Sequence, residues 1–135
     1  LYPFNCDFKM KKAILTTNAP APIGPYSQAI QAGDTIYISG QIAIDPSTGD
    51  LITSSIEDET HQVLKNVGAI LEAAGLTYEN VVSCSVFIKD MELFGRINTV
   101  YTTYFSAGIP PARALVQVSD LPKHVNIEIS AIAHI

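Results

Sequence analysis

Residues 55–90 read SIEDETHQVLKNVGAILEAAGLTYENVVSCSVFIKD, and this stretch decides the fold because an amphipathic helix in it runs into an apolar strand. Apolar residues at helical spacing predict a helix over Ile56–Ala74, with Ser55 as its N-cap and Gly75 as its left-handed stop. The apolar run Val81–Ile88 then predicts a strand. A helix with one apolar face followed directly by a strand indicates a layer of helices packed on a sheet.

The flanking segments supply a second helix and the other strands. Asp90 is the predicted cap of the second helix, which extends to about Phe105. The order β-β-β-α-β-α-β-β predicts an α+β fold, a mixed sheet with both helices on one face. The remaining predicted strands are Lys11–Thr16, Tyr26–Ala32, Thr35–Ser39, Ala112–Ser119 and Val125–His134.

Length and composition fit one globular domain. The chain has 135 residues, of which we assign 10–135 to a single domain and 1–9 to a leader or cloning-derived segment. Hydrophobic residues make up 47%, while charged residues make up 16% against a typical ~25%. So few charges in a small domain suggest that part of its surface is hidden in an oligomer.

Net charge, hydropathy and the spacing of cysteines and histidines limit the classes of function that this chain can have. The net charge is -5 and there is no basic cluster beyond Lys11 and Lys12, which argues against nucleic acid. No apolar run reaches the ~18 residues of a membrane span. Cys6 and Cys84 form no CxxC pair, a pattern of reducing compartments that predicts a cytoplasmic protein with Cys84 as a buried free thiol. The three histidines show no metal-ligand spacing.

Alternation along the last two strands selects the candidate site. The apolar sets Ala114/Val116/Val118 and Val125/Ile127/Ile129/Ala131 are expected to face the helices. Arg113 and Glu128 would then share the opposite face. From the pattern alone they are either a structural ion pair on a wet sheet face or part of a small pocket at a subunit interface.

Six motifs follow one another along the chain. They are Gly24-Pro25-Tyr26-Ser27-Gln28-Ala29, Ile38-Ser39-Gly40-Gln41, Asn66 with Ile70-Leu71-Glu72-Ala73-Ala74-Gly75, Val86-Phe87-Ile88-Lys89-Asp90, Asn98-x-x-Tyr101-x-x-Tyr104-Phe105, and Pro111-Ala112-Arg113-Ala114 with Leu121-Pro122-Lys123 and Ile127-Glu128-Ile129. In this order and spacing they resemble the RidA family, also called YjgF or reactive intermediate deaminases. The resemblance covers about residues 12–133, nearly the whole chain.

The resemblance implies a chorismate-mutase-like homotrimer with sites between subunits. It implies hydrolysis of 2-aminoacrylate-type enamine and imine acids to 2-keto acids and ammonia, as by a 2-iminobutanoate/2-iminopropanoate deaminase, with no metal or organic cofactor. Arg113 would bind the substrate carboxylate, Glu128 would activate water, and Tyr26 would close the pocket. Ser39, Gly40 and Phe87 would also contact substrate, whereas Asn98 is expected to bond to backbone.

One departure from the family pattern leaves alternatives open. Many members carry a cysteine two residues after the arginine, where this chain has Leu115. A non-catalytic trimer that binds 2-keto acids is therefore the main rival hypothesis. A ribonuclease or translation inhibitor, as attributed to some relatives, fits the net charge of -5 less well. A chaperone-like trimer is a further alternative.

Overall fold

A computed structural model describes residues 11–135, so the predicted leader and Cys6 lie outside the described residues. The main elements follow the predicted order β-β-β-α-β-α-β-β. Short 3₁₀ turns at Tyr78–Asn80, Met91–Leu93 and Pro122–His124 connect some of them. The elements are β1 (Lys12–Ile14), β2 (Ala29–Ala32), β3 (Thr35–Gln41), α1 (Ile56–Ala73), β4 (Val81–Ile88), α2 (Phe94–Tyr104), β5 (Ala112–Gln117) and β6 (Ile127–His134).

The six strands form one mixed sheet in the order β1-β2-β3-β6-β4-β5. All neighbouring strands are antiparallel except β4 and β5, which are parallel. The parallel pair needs a crossover connection, and α2 provides it. The predicted α+β class and mixed sheet are therefore confirmed.

Both helices lie on the same face of the sheet. Helix α1 packs against α2 and against β3 and β6. Alternate residues of the central strands point at the helices and are buried, while their neighbours line the open face. The buried apolar residues of β3, β4 and β6 are Ile36, Ile38, Val81, Cys84, Val86, Ile88, Ile127, Ile129, Ala131 and Ala133.

The helix ends largely follow the predicted signals. The Ser55 side chain accepts a hydrogen bond from the Asp58 amide, and Gly75 has a φ of 75° just past the end of α1. Asp90 instead caps the 3₁₀ turn Met91–Leu93, and α2 begins only at Phe94. The 3₁₀ turn follows the Asp90 cap, so α2 begins one turn later than predicted.

Strand β3 extends past the predicted end at Ser39. It continues to Gln41 through an irregularity in its pairing with β6 between Ile38 and Gln41. Such a bulge bends the strand and changes the direction of nearby side chains. Gly40 lies in this bulge and becomes important for the site.

No helix among residues 11–135 combines the length and apolar character that a bilayer crossing requires.

Candidate active site

Arg113 lies on the helix-facing side of the edge strand β5. Its register partner on β4 is Cys84, which is buried beneath the helices, and paired residues of neighbouring strands share a face. The Arg113 guanidinium lies over the Tyr101 ring, with Cζ 4.7 Å from the ring centroid. Its Nη1 donates a hydrogen bond of 2.9 Å to Asn98 Oδ1. Helix α2 therefore holds Arg113 by one stacking contact and one directional contact.

The pocket around this guanidinium measures about 420 Å³. None of the ion pairs found among residues 11–135 includes Arg113, whereas Arg96 is paired with Glu57. A fixed guanidinium without a protein carboxylate is suited to a carboxylate ligand. The pocket is lined by Asn98, Tyr101, Thr102, Phe105, Pro110, Pro111 and Arg113. We call it the arginine pocket.

Glu128 lies on the opposite face, so the prediction that Arg113 and Glu128 share a face is wrong. Glu128 pairs with Phe87 of β4, and both side chains point away from the helices. The error came from β5, where we expected the apolar set with Ala114 and Val116 to face the helices. These two are exposed on the open face, while Leu115 beside Arg113 packs against the core. An edge strand is too exposed for hydrophobicity alone to decide its orientation.

Gly40 makes room for the Glu128 carboxyl. A Cβ on Gly40 would lie 2.8 Å from Glu128 Cδ and 2.9 Å from Oε2. The missing side chain in the β3 bulge therefore allows the half-buried carboxyl to lie against the backbone. Both residues line a cleft of about 320 Å³. We call it the glutamate cleft, formed by Pro20, Ala21, Ile23, Tyr26, Gln28, Ser39, Gly40, Gln41, Ile42, Ile44, Pro122 and Glu128.

Burial raises the pKa of the Glu128 carboxyl above its ordinary value. Desolvation is the cause, and no arginine opposes it, because Arg113 lies on the other side of the sheet. A carboxyl with a raised pKa binds a proton more readily at neutral pH, as general acid–base catalysis requires.

Tyr26 and Ser39 also line the glutamate cleft, as predicted. The Tyr26 hydroxyl accepts a 3.3 Å hydrogen bond from the Ile23 amide, and the side chain is 48% exposed. The Ser39 hydroxyl donates a 2.6 Å bond to the Ser27 carbonyl, so its lone pairs stay free to accept. Phe87 is next to Glu128 on the open face but does not line the cleft.

The structure adds Asn98 and Tyr101, whose roles the sequence interpretation missed. We expected Asn98 to bond to backbone and assigned Tyr101 no role in the site. Their i, i+3 spacing places both on one side of α2, and both contact Arg113. That spacing was the available signal, but nothing in the sequence placed Arg113 next to α2.

Cys84, His61 and His124 line neither pocket, although Cys84 adjoins Arg113 and Tyr101 of the arginine pocket. Cys84 is buried and free as predicted, and burial raises the pKa of its thiol. His61 shares a 2.9 Å hydrogen bond with Tyr104, and His124 pairs with Asp120. Within residues 11–135 no cluster of three His, Cys, Asp or Glu side chains has the arrangement of a metal site.

Comparison with known proteins gives a consistent result. A family model described as endoribonuclease L-PSP matches residues 16–135. A RutC family protein of Pyrococcus horikoshii is 54% identical, over 93% of this chain and 98% of its own. The 2-iminobutanoate/2-iminopropanoate deaminase of Mus musculus is 52% identical, over 92% of this chain and 91% of its own. The structure of E. coli TdcF with bound serine matches with a TM-score of 0.89 and 41% identity, covering 92% of this chain and 98% of TdcF.

Proposed function

This chain belongs to the RidA (YjgF) family, the group of the endoribonuclease L-PSP model, and from that membership we propose that it hydrolyses 2-imino and enamine acids to 2-keto acids and ammonia. The mouse relative, 52% identical, carries the name of this activity. Family members also carry other names, so the assignment depends on the site.

The observation that carries the proposal is the oriented guanidinium of Arg113, which forms no ion pair with any carboxylate among residues 11–135. A 2-imino acid presents a carboxylate next to its C=N carbon. Two parallel hydrogen bonds from the guanidinium to that carboxylate would fix the position of the reacting carbon. Holding a reactant in place in this way contributes several kcal/mol to catalysis, on the order of the effects known for oriented reactants. TdcF, crystallised with serine, is a relative that holds an amino acid.

We further propose that the arginine pocket and the glutamate cleft of different subunits combine in a homotrimer. Within one chain the sheet separates Arg113 from Glu128, so one substrate does not reach both. The open face carries exposed apolar groups, with Tyr37 at 50% and Val116 at 46%, which is typical of a face that a partner covers. The trimer rests on the family resemblance, and this arrangement predicts an inactive monomer.

The mechanism needs one acid–base group. Glu128 takes a proton from water while the water oxygen bonds to the imine carbon, and it passes that proton to nitrogen. It then moves the hydroxyl proton of the carbinolamine to nitrogen, and the carbon–nitrogen bond breaks. The products are the 2-keto acid and ammonia. The Tyr26 hydroxyl lies in the same cleft, where it would hydrogen-bond substrate or water.

The test generates 2-aminoacrylate with a serine dehydratase and follows keto-acid release. The native protein should accelerate release, and Arg113→Ala should lower kcat/KM about 100-fold, as expected for loss of ~3 kcal/mol from bonds to a charged group. Arg96→Ala is the matched control, because Arg96 forms a surface ion pair with Glu57 on the outside of the helices. No acceleration by the native protein, or equal rates for the two variants, would refute the proposal.

A non-catalytic binder of 2-keto acids is the second candidate. It is favoured by Leu115, which stands two residues after Arg113 in place of the cysteine that the family resemblance implies, and by the serine bound to TdcF. Calorimetry separates the candidates: tight keto-acid binding that depends on Arg113, without turnover, would select the binder. The net charge of -5 argues against RNA as the ligand of either pocket.

A further inference from the structure

The buried polar side chains converge on the glutamate cleft. Gln28 bonds to the loop at residues 16–20, Asn66 donates to the carbonyls of Ile42 and Ile44, and Glu59 accepts from the start of β6. Each of these segments contributes to the cleft wall or leads directly into it. Buried polar networks that are fully bonded make their surroundings rigid. Among residues 11–135 the buried polar residues are Gln28, Gln41, Glu59, Thr60 and Asn66.

Glu59 directs all three of its hydrogen bonds to Asn126 and Ile127. Its carboxylate is 0% exposed on α1 and accepts three hydrogen bonds. Oε2 accepts from the amides of Asn126 at 2.7 Å and Ile127 at 3.1 Å, while Oε1 accepts from Asn126 Nδ2 at 2.8 Å. Glu128 is the next residue along the chain. The helix therefore holds the backbone from which Glu128 projects.

The segment before this anchor has a strained conformation. Lys123 and His124 both have a φ of 56°, in the left-handed region that non-glycine residues avoid. Such a conformation persists only where the surrounding structure holds it. On the N-terminal side of this segment, the Asp120 carboxylate accepts hydrogen bonds from the Leu121 amide and from His124 Nδ1. On its C-terminal side, the backbone is held by Glu59.

We propose that Glu59 is a positioning residue that fixes Glu128 over Gly40 for water activation. This inference rests on the proposed function for the role of Glu128, although the placement itself is measurable without substrate. Loss of the Glu59 carboxylate would leave the amides of Asn126 and Ile127 buried without acceptors. The start of β6 would shift to find water, and Glu128 would move with it.

The experiment compares Glu59→Leu with the conservative Glu59→Gln, whose amide oxygen still accepts a backbone hydrogen bond. In Glu59→Leu we expect kcat to fall about 10- to 100-fold, as for a displacement of about 1 Å in a catalytic group. KM should stay within about threefold, because the arginine pocket lies on the other face of the sheet. Glu59→Gln should restore kcat to within about threefold of the native value.

A second readout needs no turnover. Carboxyl ¹³C titration of the native protein should show a Glu128 pKa above the ordinary value, and in Glu59→Leu that pKa should fall as the carboxyl reaches water. Tyr26 is the other titratable side chain lining the cleft. If the native protein lacks deaminase activity, the proposed function fails while this titration still decides whether Glu59 positions Glu128.

Thr60→Val is the matched control. Thr60 is equally buried on α1, and its hydroxyl bonds only to the Ile56 carbonyl of its own helix. Should Glu59→Leu fail to fold, Asn126→Ala removes a single bond to Glu59 and should move both readouts in the same direction by less. Equal kcat in Glu59→Leu and Thr60→Val, or an unchanged Glu128 titration in a folded variant, would overturn the proposal.

Discussion

Gly40→Ala isolates the position of Glu128 from the stability of the fold. The added Cβ would lie 2.8 Å from Glu128 Cδ, and ordinary contact begins at 3.4 Å, so the carboxyl must move by at least the difference, about 0.6 Å. Gly40 does not require a positive φ, so alanine fits its backbone. The contacting atoms are the far end of a flexible side chain. The substitution therefore relocates the carboxyl at little cost to the fold.

The expected result is a loss of activity with stability retained. Since a misplacement of about 1 Å can cost ~100-fold, and acid–base catalysis contributes ~100- to 10,000-fold in total, kcat should fall about 10- to 100-fold. The free energy of unfolding should change by less than ~1 kcal/mol. Keto-acid release measured with a dehydratase gives kcat, and urea unfolding gives stability.

Gly95→Ala is the control for the substitution itself. Gly95 lies in α2, and a Cβ there meets no atom within 4 Å. Alanine should leave kcat unchanged and stabilise the helix by ~1 kcal/mol. The double variant Gly40→Ala with Glu128→Gln should be no slower than Glu128→Gln alone, because both changes act on one carboxyl. A native kcat in Gly40→Ala, or additive losses in the double variant, would refute the reasoning.

Three further predictions concern other parts of the molecule. Asn98→Ala removes the oxygen that orients the Arg113 guanidinium. KM for the imine should therefore rise about tenfold, equivalent to ~1.4 kcal/mol of binding free energy, while kcat stays nearly unchanged. An unaltered KM in steady-state assays would contradict this. Gly68→Ala places a Cβ against the Tyr78 hydroxyl, which donates a hydrogen bond to a carbonyl of α1. The free energy of unfolding measured by urea titration should therefore fall by ~1–3 kcal/mol. A native value would show that Tyr78 does not pack closely against Gly68. Hydrogen bonding from Arg96 lowers the pKa of Glu57 from 4.5 to about 2. The small stabilisation of the fold by this surface ion pair is therefore fully present above pH 4.5 and is lost as the pH falls toward 2. The free energies of unfolding of the native protein and of Glu57→Gln should therefore differ at pH 6 and become equal near pH 2. A difference that stays constant with pH would show that the ion pair does not cause it.

The local chemistry of turns and helix caps made much of the fold predictable. Ser55 and Gly75 bracket α1 as expected because a cap and a left-handed stop are local requirements. The central strands β4 and β6 were placed correctly because their alternation is strong and both are buried on one face. Local signals did not place Asp90, since a 3₁₀ turn separates it from α2.

The sequence by itself determined the order of elements, the helix-facing residues of β6 and, among the residues that line the two pockets, Tyr26, Ser39, Gly40, Arg113 and Glu128. Only the tertiary structure decided that Arg113 and Glu128 lie on opposite faces. The physical reason is the pairing of the edge strand β5 with β4, which aligns Arg113 with the buried Cys84 and turns Ala114 and Val116 outward. Register between distant strands depends on how the whole sheet assembles, and alternation along one strand defines two faces without saying which one meets the helices.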